Sequence, residues 1–419
     1  QIAITFTLIL FHSQLSSISL FILQNRSSST ILRRIMDRKA DRIVWMDCEM
    51  TGLEIDNHTI VEIAVIVTDA ELNTVAEGPN IVIHQDEETL SRMNDWCKDK
   101  FSKNGLIERI RASKVEMVEA EEQILAFLKM HVLEKTAILT GNSIYMDRFY
   151  LMKVHAHLEA YLHHHLIDVD SISEVAYRSY PQSIARAPKK KMTHRALDDI
   201  KEAIAELKYY KNTVFRTSLS DPGYWSSNPS ISLAQFDARK KMFDRADRLA
   251  WVDCKMDEVE SNTIEMAVII TDRKLNVVAE GPNIIIRLDE EMLSSMNSSC
   301  KEAFAKNALI VRNRECEMRM AEAENKLLAF LKKHLAIYKG RLAGNSIYME
   351  RIFIRKFMPR VNAFLNHYIT DVDSISELAR RWVPSSVESA PMRSERCRAI
   401  DEIRASIKEL DHYRSHVFK

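Results

Sequence analysis

The sequence predicts an α/β protein built from two tandem units, each with a mixed sheet flanked by helices. The first observation is internal repetition: GNSIYM stands at 141 and 344, DVDSISE at 168 and 371, and EGPNI at 77 and 280, each pair 203 residues apart. A period that long exceeds any solenoid repeat, so it marks two whole domains. The second is the order of patterns, a meander of apolar strand-like runs followed by short apolar runs alternating with helical periodicity. The third is eight glycines in 419 residues, about a quarter of what a usage of about 7% gives. That scarcity favours helix and argues against Gly-rich nucleotide-binding loops.

In the first unit IVWMDCEM reads as a buried strand and TIVEIAVIVTDA as a second. A turn at Glu71, Leu72 and Asn73 leads to a third strand at VAEGPNIVIH. Helical periodicity covers 117–131, the apolar run AILTGNSI follows, and further helices are expected at 145–160, 171–178 and 195–213. The units run over 37–216 and 245–419. Between them 217–244 includes TSLSDPGYWSSNPSISLAQF, whose Pro, Gly and Ser content is that of a linker.

With 46% hydrophobic and 28% charged residues the chain has a globular composition. Fifty-nine Lys and Arg balance fifty-nine Asp and Glu, so no bulk positive field holds a polyanion and any nucleic acid must be gripped locally. Six cysteines show no CxxC or zinc spacing and read as reduced thiols of an intracellular protein. Residues 1–36 contain no acid, much Ser and three Arg. That is the composition of a mitochondrial transit peptide, or of sequence upstream of a start at Met36. Its apolar part is interrupted by His12, Gln14 and Ser, so no membrane span is expected.

Chemistry is expected at the carboxylates. Asp47 and Glu49, two apart on an apolar strand, leave the same face, and buried carboxylates are costly unless a cation compensates them. Asp147 follows an apolar run where strand gives way to helix, and Asp199 sits in a helical stretch. Four carboxylates from separate elements can hold two Mg²⁺ or Mn²⁺ ions. Taken singly, each Asp reads as a cap or a solvated charge.

The segments MDCEMTGL, GNSIYMDR and HRALDDI resemble the three motifs of the DEDD exonuclease superfamily, in the subgroup with a His five residues before the last Asp. From WMDCEMTGL through THRALDDIKEAIAELKYY the first unit resembles the oligoribonuclease family throughout its length. This resemblance implies an RNase H-like fold and 3′→5′ removal of nucleotides from short single-stranded RNA. It implies Asp47, Glu49, Asp147 and Asp199 as ligands of two divalent ions and His194 as general base. Five helical residues turn by about 140°, so His194 and Asp199 would face apart on one regular helix, and His194 is expected just before it. The resemblance also implies Leu53 and Trp96 as apolar surfaces for bases and Ser143 near a phosphate. Where the family has a Tyr-Arg pair and later a Ser that help cap a 5′ phosphate, this chain has His164, His165 and Asp170. Losing the Arg fork weakens bidentate phosphate capture, although His164 and His165 keep the substrate-binding positions. The tract Lys189 to Lys191 is either a solvated loop or an attraction for RNA.

In the second unit Asp253 remains, but Glu49 is matched by Lys255, Asp147 by Glu350, His194 by Cys397, Asp199 by Glu402 and Trp96 by Ser299. An inert domain is expected, its ammonium offsetting the repulsion of Asp253, Glu350 and Glu402. Two alternatives stand beside an exoribonuclease active in the first unit: a non-catalytic RNA-binding scaffold, and a DNA exonuclease of the same superfamily. Because the resembling enzymes are homodimers, the second unit is expected to fill the partner's place as an intramolecular pseudo-dimer. His367 and Tyr368 would be its contribution to the cleft.

Overall fold

The computed structural model describes residues 39–216, 245, 247–256, 263–391 and 398–419. The expected leader at 1–36 and the whole of the expected linker at 217–244 fall outside them. The first half forms β1 (Ile43–Met50), β2 (Ile60–Thr68) and β3 (Thr74–Val82), then α1 (Glu87–Ser91), α2 (Asp95–Lys103), α3 (Leu106–Ala112) and α4 (Met117–His131). There follow β4 (Ile138–Gly141), α5 (Tyr145–Val154), α6 (Ala156–Tyr161), β5 (Leu166–Asp168), α7 (Val169–Ser179), α8 (Pro181–Ala185) and α9 (Ala196–Thr213). The expected helix at 145–160 is two helices meeting at His155, whose φ of −133° and ψ of 60° end the α conformation. Helices α1 to α3 were not expected. Side-chain caps at Asp86 and Asn94 start the first two.

The sheet order is β3-β2-β1-β4-β5, with β1 antiparallel to β2 and parallel to β4. It is the mixed sheet that the sequence predicts. Alternation along β1 divides the core. Val44, Met46 and Cys48 join the apolar cluster that contains α4 and α5 residues, whereas Ile43 and Trp45 join the one containing α7 and α9 residues. Continuing that odd-numbered series, Asp47 and Glu49 leave β1 on the α9 side.

The second half repeats the order with β6 (Leu249–Met256), β7 (Thr263–Thr271), β8 (Val277–Glu280), β9 (Ile284–Ile285), β10 (Arg341–Gly344) and β11 (Ile369–Asp371). Its sheet runs β11-β10-β6-β7-β8, with β9 also on β7. The halves share their cores, since both clusters contain residues of each. They meet reciprocally. The Asp371 N–H donates to Ser171 Oγ at 2.9 Å and the Asp168 N–H to Ser374 Oγ at 2.9 Å. Phe215 and Phe418 form an antiparallel bridge, flanked by Arg216 N–H to Val417 O and Lys419 N–H to Val214 O, each 2.8 Å. Among the described residues no helix is long and apolar enough to cross a membrane, and the five described cysteines are free thiols.

Candidate active site

The site grows from the C-terminal end of β1. Glu49 pairs in register with Glu62 of β2, and a register shift follows between Glu49 and Met50, a bulge beside the carboxylates. Glu62 is fully buried and is gripped by Arg195, whose Nη2 and Nε lie 2.7 and 3.0 Å from its carboxylate. Arg195 immediately precedes α9, so this pair fixes the start of the helix that carries Asp199. His194 lies outside the helix, as the five-residue spacing expects, with φ at +52°. A left-handed conformation is uncommon for a side chain of this size. It is held by Asn104 at the end of α2, whose Nδ2 donates to the carbonyls of His194 at 2.9 Å and Thr193 at 3.1 Å.

Asp147 enters from the first turn of α5, and its Oδ1 accepts the Cys48 N–H at 2.7 Å, which ties α5 to β1. Burial first, then the charges of Asp147, Glu49 and Asp199, push the Asp47 carboxyl well above the carboxylate range. Burial and the charge of Asp199 do the same to Glu49. Burial, followed by Glu202, takes Asp199 up to about 6. Glu49, His194 and Asp199 each offer one ligand atom, all within 4.8 Å of one another. These acidic groups destabilise one another while ionised, so the donor set suits a hard divalent cation.

A cleft of about 860 Å³ opens over these groups, lined by Asp47, Glu49, Asp147, Asp199, His194, Leu53, Trp96 and Ser143. Trp96 stands in the first turn of α2, 53% exposed, so it is a cleft wall and not core. Its ring meets that of His194 edge-on at 4.9 Å. Leu53 is 58% exposed. A Cβ on the preceding Gly52 would lie 2.5 Å from the His58 ring, so only glycine lets this turn present Leu53. The Ser143 hydroxyl donates to Asp170 at 2.7 Å. Of the lysine tract only Lys190 lines the cleft, 3.0 Å from Glu206.

His164 and His165 do not line this cleft. They turn across the interface: the Tyr348 hydroxyl donates to the His164 carbonyl at 2.8 Å, and His165 Nδ1 lies 3.0 Å from Glu377. By the same near-symmetry His367 of the second half does line the cleft, and Tyr368 does not. Arg351, Arg355 and Asn362 line it as well. Sequence reasoning missed these three, although Asn362 at the position of Glu159 was visible by comparing the repeats.

In the second half the frame persists with other residues at the acidic positions. Glu265 is gripped by Arg398 as Glu62 is by Arg195, and the Cys254 N–H donates to Glu350 at 3.3 Å. Lys255 and Asp253 are paired at 2.9 Å. Cys397 falls outside the described residues, and Ser299 offers no ring where Trp96 stands.

An exonuclease (RNase_T) family model matches residues 44–207 and 252–410. The chain belongs to this exonuclease family. Relatives of the chain include oligoribonucleases. It is 49% identical over 179 residues to a probable oligoribonuclease of Caenorhabditis elegans, covering 43% of this chain and 92% of that one. A probable oligoribonuclease of Dictyostelium discoideum is 44% identical over 182 residues, 43% of this chain and 95% of that one. The mitochondrial oligoribonuclease of Homo sapiens is 41% identical over 182 residues, 43% and 77%.

Proposed function

We propose that the chain is a 3′→5′ exoribonuclease that degrades short single-stranded RNA to mononucleotides in its first half, residues 37–216. The single observation that carries this is the crowding of Asp47, Glu49, Asp147 and Asp199 beside an imidazole in one cleft. Oligoribonuclease relatives support the substrate class. Asp47, Glu49, Asp147 and Asp199 would hold two Mg²⁺ or Mn²⁺ ions, and such ions would offset the burial that raises all four carboxyls and the neighbouring charges that add to it at Asp47 and Glu49. When bound, the ions supply electrostatic stabilisation of the phosphate being cleaved.

His194 is the proton acceptor for the attacking water. Burial and the charge of Lys100 hold its pKa below the ordinary 6.5, so the ring is neutral at pH 7 and able to take a proton. Trp96 against its ring and Asn104 on its backbone carbonyl fix its position. Leu53 and Trp96 offer exposed apolar surfaces on which any base can rest, which tolerates every sequence. Residues 245–419 form the inert half, paired with the first within one chain across 217–244. The acid-free leader and the relative named mitochondrial support a mitochondrial location, alone or beside a cytoplasmic one.

The test uses 5′-labelled RNA and DNA oligomers with Mg²⁺, Mn²⁺ or chelator. Stepwise loss of 3′ nucleotides from RNA, abolished by chelator, is expected. Faster loss from DNA would make the chain a DNA exonuclease, and RNA retention without cleavage would make it a scaffold.

A further inference from the structure

The two halves part company at one buried pair. In the first half Arg148, next to Asp147, is buried and held by Glu159, with Nη2 at 2.6 Å and Nε at 3.1 Å from the same carboxylate oxygen. At the same two positions 203 residues on stand Arg351 and Asn362. Arg351 is only 5% exposed, yet among the described residues its Nη1 has no hydrogen-bond partner, and neither has Asn362 Oδ1. Both residues line the first half's cleft, which Asp47 and Asp147 also line.

A guanidinium withdrawn from water without its carboxylate is costly. Among the described residues no carboxylate pairs with it: its neighbours include the like-charged Arg355, the His367 imidazole and the Tyr145 hydroxyl, which itself donates to the His367 carbonyl. Arg355 is itself engaged, donating to the Leu53 carbonyl and lying 3.6 Å from Met146 Sδ. An anion entering the cleft would give Arg351 what Glu159 gives Arg148. The planar fork of Arg suits a phosphate. We infer that Arg351 binds a substrate phosphate other than the one being cleaved, so that the second half, stripped of its own catalytic set, recognises phosphate for the first. This rests on the exoribonuclease reading. It also answers the loss of an Arg at position 165, because the guanidinium reaches the cleft from another helix.

In a dinucleotide the 5′ group is the one phosphate besides the scissile one. Hydrolysis of pNpN and NpN by the full chain therefore reads the contact directly. The full chain is expected to favour pNpN by about tenfold or more in kcat/KM, the scale of a charged hydrogen bond. Arg351→Gln should bring that ratio close to one, through KM for pNpN, and Arg351→Lys should keep part of it. Asn362→Glu restores the partner that Arg148 has and should also collapse the ratio while the guanidinium remains. Equal hydrolysis of the two dinucleotides by the full chain, or a preference that survives both Arg351→Gln and Asn362→Glu, overturns the assignment. Inactivity on RNA of every length overturns the exoribonuclease reading on which it rests.

Discussion

Lys255 Nζ lies 2.9 Å from Asp253 Oδ2, where the first half places Glu49 beside Asp47. The ammonium keeps its charge despite burial because Asp253, Glu402 and Glu350 surround it and hold its pKa above the ordinary value. One substitution thus replaces a repulsive pair that calls for a cation with an attractive pair that carries its own.

Activity should therefore depend on the first half alone. Asp47→Asn is expected to lower kcat/KM on short RNA by roughly 10² to 10³ or more. Asp253→Asn should leave it nearly unchanged. Steady-state kinetics of both variants decide, and equal losses would make the second half catalytic.

His194→Ala should reduce kcat by about 10² to 10⁴, with metal binding retained in calorimetry. If the metal is lost too, His194 is a ligand, a role its distance to Glu49 and Asp199 permits. The acid limb of kcat/KM should have its midpoint below 6.5, because burial and Lys100 keep the ring neutral to lower pH than usual. A limb unchanged in His194→Ala would belong to the carboxylates instead.

The paired halves should make the full chain a monomer. A linker of roughly 28 residues at about 3.3 Å each spans more than a domain, and tethering holds the halves at about millimolar effective concentration. Sedimentation should give one chain per particle, and a 37–216 fragment should self-associate or lose stability, since both cores run through the interface. A stable dimer of full chains with sites completed between them would defeat this arrangement.

The His165 and Glu377 contact should tune stability with pH. Burial alone would lower His165, but the hydrogen bond it donates to Glu377 and the charge of Asp373 raise it above 6.5. Glu377 is opposed by burial, yet the hydrogen bonds of His165 and Arg381 take it down to about 2. The raised His contributes fully below its unfolded value of 6.5 and fades as pH climbs through its folded value. The depressed Glu contributes above 4.5 and fades as pH falls towards 2. The melting temperature lost in His165→Gln should be greatest between pH 4.5 and 6.5, about 2 °C, and shrink towards pH 8. A pH-independent difference would mean that packing, not charge, joins these residues.

Local pattern was enough for much of this molecule. The apolar run around Asp47 and Glu49 fixes a buried strand, strict alternation puts both carboxylates on one face, and the five-residue spacing places His194 ahead of α9, because each is set by backbone geometry within a few residues. Comparing the repeats also exposed Lys255 and the lost base. Helices α1 to α3 escaped because none is longer than nine residues and they depend on packing around Leu90, Phe101 and Ile110, with side-chain caps at the first two, which short periodicity does not reveal. The repeats pointed to His367 as a visitor to the first half's cleft, and it is there; the rest of the lining was decided only by tertiary structure. Packing turned His164 and His165 towards the second half, left Tyr368 out of the cleft, and brought in Arg351, Arg355 and Asn362, some 200 residues away in sequence. That exchange follows from packing two near-identical faces about a local two-fold, a relation between distant surfaces that no window of sequence contains.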